Sequence, residues 1–437
     1  MYGEKELADE ALRRVLGCLY PNGDHLLSSF LYGEPGAPHW QRRLGAEIFV
    51  QQDRYIDALL FIRKHGAPFL RDIAVGELRG MVTHFVTEHY AWITGGHVFL
   101  HPGVSLAQQM PTQGWEALSS AWLRSQLFKP VNEVTLYPLT IVRVADCFQS
   151  SHFALCTAGD LPASLDVFGV RPPSLLPAQL PPFDGTRAQP MPVSDWLCVS
   201  APDPLIARKR VRVILGALAL AVIRRERYLQ TGRIVQAGYC TISQEKFTYG
   251  AGGQPATPSM PSDINIVKAD HTWLDDLVAL LGSSDLHEKS QLRALEYFYR
   301  AWFDDPRERF PTLCMALDSL VATQHDFTRA TVRYVRSTVD EPIDEERLRL
   351  LMRLRGAVVH GAAPDVYESE HYDAYYATYG ENPICDLELV VARCLRRGIF
   401  GDRFTVQPDP HAAIVKQQQE LGRLPRVLRG KSILEDD

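Results

Sequence analysis

Apolar positions recur with two different periods along this chain. From Glu6 to Leu19 and from Arg54 to Lys64 they return every three or four residues, the spacing of one buried helical face, whereas Ala46 to Val50, His97 to His101 and Val134 to Val144 have the make-up of strands. Mixed α and β structure is expected here. Further on, Trp196 to Ser200 predicts a short strand and Asp203 to Leu229 a long helix with Asp203 as its N-cap. Arg233 to Tyr249 and Asp263 to Val267 predict more strands, separated by the turn-forming stretch GAGGQPATPSMPS. Beyond about residue 272 the helical period takes over. Leu292, Leu295, Phe298, Tyr299 and Trp302 form one stripe, and Leu313, Leu317, Leu320 and Val321 another. Thr328 to Ser337, Asp344 to Gly361 and Asp386 to Gly398 predict three more helices, and no internal repeat is visible.

The prolines between Arg171 and Pro192 withdraw amide donors and block helix, which predicts a linker. The expected division is a mixed α/β domain over 1–170, a linker over 171–192, a small α/β subdomain over 193–271, a helical bundle over 272–405 and a tail over 406–437. The fold class is α+β: a mixed α/β N-terminal region followed by a C-terminal all-α bundle.

A length of 437 residues fits two or three such units, and 46% hydrophobic with 22% charged residues excludes a mainly disordered or collagenous chain. The formal charge of -6 excludes a histone-like positive coat, so nucleic-acid binding requires a local basic surface. Eight cysteines without a C-x-x-C pair predict free thiols. The apolar run Val213 to Ile223 is shorter than the roughly 20 residues of a membrane helix and predicts a buried one. Met1 opens onto Glu4, Lys5, Glu6, Asp9 and Glu10, unlike a secretory signal, so the expectation is a cytoplasmic protein without membrane contact.

The richest local signal is DEERLRLLMRLRGAVVHG, Asp344 to Gly361. Acidic residues occupy the positive end of the helix dipole, and Gly361 sits where a left-handed cap stops a helix. Its apolar content, Leu348 to Val359, exceeds one core-facing stripe, which suggests a second covered face supplied by another subunit. At 100 degrees per residue Arg355 and His360 diverge by about 140 degrees, whereas Arg349, Arg353 and His360 fall within about 40 degrees with Gly356 on the same stripe. That pattern is a basic stripe with a gap at Gly356, roomy enough for a phosphate or base.

Arg355, four residues, then His360 and Gly361, at the end of a helix in a C-terminal bundle, resembles the HEPN superfamily. The His-Gly ending, and the preceding Ala316-Leu317-Asp318-Ser319-Leu320, resemble its ApeA-like, anti-phage branch more closely. The resemblance covers about residues 285–402, with weaker likeness over 195–270. It implies a metal-independent endoribonuclease with no cofactor, in which two chains bring their motifs into one cleft. RNA supplies its own nucleophile, the 2'-hydroxyl, so the protein needs a proton-transfer group, His360, and a cation for the crowded phosphate, Arg355. Arg353, Arg349, Gly356 and Asp318 are the supporting positions, Asp318 by orienting a cation. Implied partners are RNA, tRNA included, a second copy of the chain, and a phage-derived trigger or antitoxin-like inhibitor, with residues 1–170 as sensor or regulator. Gly356 departs from the polar residue that many members carry after the arginine. The alternative is therefore a non-catalytic HEPN-type module of a toxin-antitoxin or defence system that binds RNA or protein, or dimerises.

Other candidates read as structural. His84 and His89 are five apart, which does not match the H-E-x-x-H zinc spacing, and neither they nor His97 and His101 are assigned a metal. Gly250-Ala251-Gly252-Gly253 lacks the Lys-Ser/Thr of a phosphate loop and predicts a turn. Arg423, Arg426, Arg429 and Lys431 predict a solvated basic tail.

Overall fold

A computed structural model describes residues 3–33, 42, 44–96, 100–170, 195–224, 237–243, 247–250, 255–258, 262–321, 327–339, 342–409, 411–424 and 433–434. The fold is α+β, and the chain divides into two compact units, Met1–Asn132 with Pro202–Ile206, and Glu133–Ala201 with Ala207–Asp437.

In the first unit, helix α1 (Glu4–Gly17) is followed by strands β1 (Leu19–Tyr20), β2 (Leu26–Tyr32) and β3 (Leu44–Val50), which form an antiparallel sheet in the order β1-β3-β2. Helices α2 (Gln52–His65), α3 (Val75–Glu88), α4 (Tyr90–Thr94), α5 (Leu106–Gln109) and α6 (Thr112–Arg124) complete it. The α1 stripe Ala8, Leu12, Val15 and Leu16 is fully buried, as its spacing requires. Glu6 closes the amino end of that helix by accepting from the Gly3 amide at 2.8 Å.

The second unit is built on six antiparallel strands: β4 (Glu133–Leu139), β6 (Phe148–Gln149), β7 (Phe153–Thr157), β8 (Asp195–Ala201), β9 (Tyr239–Ile242) and β10 (Phe247–Gly250), in the order β10-β9-β4-β8-β7-β6. Short β5 (Val142–Val144) pairs in parallel with β11 (Ile264–Ile266). Every residue of β8 is buried, as befits a strand flanked on both edges and covered on both faces. Helix α7 (Leu161–Val167) adds Leu161 and Leu165 to the same core as Trp196 and Cys198.

The sheet takes strands from both sides of 171–192, so the boundary expected at residue 170 falls inside one sheet, and the compact units part at residue 132 instead. The linker itself lies outside the described residues. Val134 to Val144 is two strands, because β5 leaves the main sheet: the Asp195 carboxylate takes the Val144 amide at 2.9 Å while β11 pairs along it. Arg233 to Tyr249 is a hairpin, with 233–236 and 244–246 outside the description. Residues 97–99 also lie outside it, and Leu100 and His101 are not in a strand.

Helix α8 (Pro204–Ala219) ends ten residues before the expected Leu229 and passes into a single 3-10 turn, Leu220–Val222. Asp203 accepts from the Leu205 amide at 2.7 Å, the expected cap. The stop at the carboxyl end has a specific cause. Buried Arg396 donates to the Leu220 carbonyl at 2.6 and 3.1 Å and also to that of Ile223, satisfying carbonyls that a continuing helix would have used. Gly216 is a close-approach position, since a Cβ there would collide with the Leu295 carbonyl.

The bundle follows: α9 (His271–Leu281), α10 (Leu286–Ala301), α11 (Pro306–Leu320), α12 (Phe327–Thr338), α13 (Glu345–Val359), α14 (Glu370–Tyr379) and α15 (Pro383–Leu395), then α16 (Ala412–Glu420). α10 and α11 form an antiparallel pair, α15 lies on α11, and α13 is contacted by α11, α12 and α14. The apolar surplus of α13 is thus largely covered within its own chain: Leu348, Leu351, Met352 and Leu354 are buried, and only Val359 of its large apolar residues is plainly exposed. Part of the tail is anchored as well. Ile433 and Leu434 are buried, and Leu434 bridges to Ile343 just ahead of α13. Arg426, Arg429 and Lys431 lie outside the described residues. Among the described residues no helix is long and apolar enough to cross a membrane.

Candidate functional site

α13 is bounded as its sequence predicts. The Asp344 carboxylate accepts from the Arg347 amide at 3.0 Å, and Glu345 and Glu346 occupy the first turn. At the other end Gly361 adopts φ +76°, its amide reaches the Val358 carbonyl at 3.3 Å, and the Ala363 amide reaches that of Ala357 at 3.0 Å. A side chain at Gly361 would be strained in this left-handed turn. His360 is therefore the C-cap residue, exposed to solvent, with its amide on the Gly356 carbonyl at 3.1 Å.

Arg355 points into the bundle. Its Nε lies 3.2 Å from Asp318 Oδ1 and its Nη2 2.5 Å from Oδ2, a two-pronged bridge to the last turn of α11. The guanidinium also stands 4.2 Å from the centre of the Phe327 ring, the first residue of α12. The side chains of Arg355 and Asp318 are 13% and 28% exposed, intermediate between surface and core. Burial raises the Asp318 carboxyl above its ordinary value, against the downward pull of Arg355 and the weaker one of His360. One carboxylate thus feels both motif residues. The angular divergence of Arg355 and His360 on α13 holds: Asp318, from a neighbouring helix, grips Arg355, and His360 acts on that carboxyl only through space.

The remaining sequence-predicted positions divide. At Gly356 an added Cβ would meet nothing within 4 Å, so the gap in the stripe is real. Arg353 is exposed on that stripe. Arg349 is not beside His360: its Nη2 lies 2.6 Å from Glu345 Oε1, at the opposite end of the helix. In the first unit His84 pairs with Glu88 at 3.6 Å, and His89 Nδ1 lies 2.9 Å from the Phe85 carbonyl. His97 lies outside the description, and among the described residues no three His, Cys, Asp or Glu side chains gather as metal ligands.

Sequence reasoning missed two features. The first is a buried cluster beneath α13, in which Arg347 Nε donates to the Tyr375 hydroxyl at 2.8 Å, while Arg347 and that hydroxyl both donate to Asp386. Its signal was a cation amid the buried Leu348, Leu351 and Leu354, which demands a buried partner. The second is the arginine series Arg329, Arg333 and Arg336 on α12, spaced i, i+4 and i+7 on one exposed face.

No protein-family model matches the chain, and neither the curated proteins nor the solved structures match it. The geometry and the motif are what bear on function.

Proposed function

We propose that the chain is a metal-independent endoribonuclease centred on Arg355, Asp318 and His360, acting as an effector of bacterial anti-phage, abortive-infection defence. The observation that carries this reading is the sharing of Asp318. It takes both prongs of Arg355 close to the helix end where His360 is the exposed C-cap, so a phosphate-binding cation and a proton-transfer group have one neighbourhood at the open end of α13. In the reaction the RNA 2'-oxygen bonds to the adjacent phosphorus and the bond to the 5'-oxygen breaks. The products are a 2',3'-cyclic phosphate and a 5'-hydroxyl. The 2'-hydroxyl proton leaves as the new bond forms, and the departing 5'-oxygen takes one up. Two His360 side chains across a homodimer would divide those transfers, while Arg355 offsets charge on the phosphoryl oxygens. The defence role, and a phage-derived trigger acting through the first unit, rest on the ApeA-like resemblance.

One observation favours a second reading. The Arg355 fork is filled by Asp318 within the chain, as in a non-catalytic HEPN-type module that binds RNA or a protein partner without cutting. Incubation of the purified chain with a defined RNA in EDTA separates the two. Fragments ending in a 2',3'-cyclic phosphate, lost in His360→Ala, support the nuclease. Retention of intact RNA supports an RNA-binding module, and neither binding nor cleavage refutes both the nuclease and the RNA-binding module, leaving the protein-binding one.

A further inference from the structure

α12 and α13 run antiparallel, since Arg336 near one end of α12 pairs with Glu345 and Phe327 at its other end carries the Arg355 guanidinium. Between them lies an open groove of about 630 Å³, walled by Arg329, Arg333 and Arg336 from α12 and by Arg349 and Glu345 from α13. Among the side chains that line it, four arginines stand against one glutamate, with Glu346 4.0 Å from Arg349, in a chain whose formal charge is -6. Arginines three and four residues apart on one helix face repel each other, and a polyanion lying along them removes that repulsion. All four are arginines, whose planar fork suits phosphate oxygens better than an ammonium does.

From Thr328 to Ser337 the lining of the groove rises about 14 Å along α12. Its volume over that length corresponds to a section of about 45 Å² for the centre of a water-sized sphere, or on the order of 10 Å from wall to wall. A whole duplex is wider than its own major groove of roughly 12 Å, so it does not enter a groove of this section, whereas one sugar-phosphate strand does.

The geometry points to this groove as a track for the phosphodiester backbone of a single strand, held by Arg329, Arg333, Arg336 and Arg349 and leading toward Arg355 and the open space at Gly356. In taking that strand to be RNA the inference rests on the nuclease reading; in taking it to be single-stranded and polyanionic it does not. Glu345 sets the strength of the track. Ionised by its contacts with Arg349 and Arg336, it holds both guanidinium groups in place and competes with phosphate for them.

The test uses the full chain and a fluorescein-labelled oligouridylate with 2'-O-methyl sugars, which cannot be cut by 2'-oxygen attack, read by anisotropy between 50 and 200 mM salt. Each arginine that neutralises a phosphate on a single strand contributes about 0.7 to the slope of log affinity against log salt. The Arg329→Gln/Arg333→Gln double variant should therefore lose about 1.4 from that slope and bind on the order of tenfold more weakly at low salt. Glutamine keeps good helix propensity, and circular dichroism checks the fold. Glu345→Gln should tighten binding and steepen the slope, an effect that a merely structural ion pair would not produce. Unchanged binding in the double variant, weaker binding in Glu345→Gln, or equal affinity for a duplex of the same length overturns the track. If the wild-type chain holds this probe but leaves the 2'-hydroxyl strand uncut in EDTA, the nuclease reading falls and the track stands. If it cuts RNA while the arginine variants bind and cut as wild type does, the track falls and the nuclease reading stands.

Discussion

Arg355→Ala removes a bridge inside the bundle as well as the proposed phosphate contact, and its cost follows from the structure. The guanidinium makes two charge-assisted hydrogen bonds to Asp318 and stands over Phe327. Breaking a fully buried ion pair costs about 3 to 5 kcal/mol and an exposed one about 0 to 1. With side chains 13% and 28% exposed, this pair is assigned about 2 kcal/mol after allowance for solvent screening. The ring contact adds about 0.5 to 1 kcal/mol, so the variant should lose about 2 to 3 kcal/mol near neutral pH. The loss should also depend on pH. Asp318 already has a raised carboxyl, and removing Arg355 takes away the main force pulling it down, so it rises further. A carboxyl raised in the folded state contributes stability that is present at low pH and lost as pH rises through the folded value. The variant loses more than wild type over that window, so its deficit should be small in acid and full at neutrality. Urea unfolding at a series of pH values measures it. A deficit that stays constant from acid to neutral pH would refute the account of the bridge. Arg355→Lys keeps the charge but not the fork and should recover about half of the loss.

Other expectations follow from the same geometry. His360→Ala should leave thermal stability nearly unchanged, because the side chain is exposed at a helix end, while RNA cleavage falls roughly 100- to 10,000-fold; wild-type turnover in that variant would remove His360 from the site. Gly356→Ala should raise the urea midpoint, with a gain of about 0.5 to 1 kcal/mol, since the added methyl meets nothing and replaces the least helical non-proline residue. Gly216→Ala should do the reverse, costing about 1 to 3 kcal/mol, because its methyl collides with the Leu295 carbonyl; a stabilised Gly216→Ala protein would show that α8 and α10 are not closely apposed. Tyr375→Phe should cost about 1 to 3 kcal/mol by leaving Arg347 and Asp386 short of a buried partner, measured by the same unfolding curves.

Where the deciding interaction was local, the sequence was readable. Asp344 and Gly361 bracket α13 because a cap acts on amides two or three residues away and a left-handed turn needs a glycine at one position. Asp203 was readable for the same reason. α14 was not, since its sequence EHYDAYYATY has no apolar stripe and buries only Tyr375. The split of Val134 to Val144 depends on Asp195 and on β11, neither of which a two-residue period reveals. At the candidate site the motif residues and the gap at Gly356 were legible. The role of Asp318 and the α12 wall depended on contacts across the bundle, 37 residues apart in the case of Arg355 and Asp318.

The bridge that makes Arg355 look occupied also sets the terms on which it would be released. A carboxyl whose pairing outweighed its burial would sit below its ordinary value and would resist displacement, but Asp318 is raised, so burial outweighs the pull of Arg355 and His360. Such a group takes a proton more readily than a surface carboxyl, so the fork it fills opens more easily as pH falls. A phosphodiester arriving past Phe327 carries an unavoidable negative charge and more oxygen acceptors, and can take the guanidinium while Asp318 either keeps one prong or accepts a proton. The filled fork of Arg355 fits the proposed catalysis only where a phosphate displaces Asp318, at the cost of its two charge-assisted hydrogen bonds.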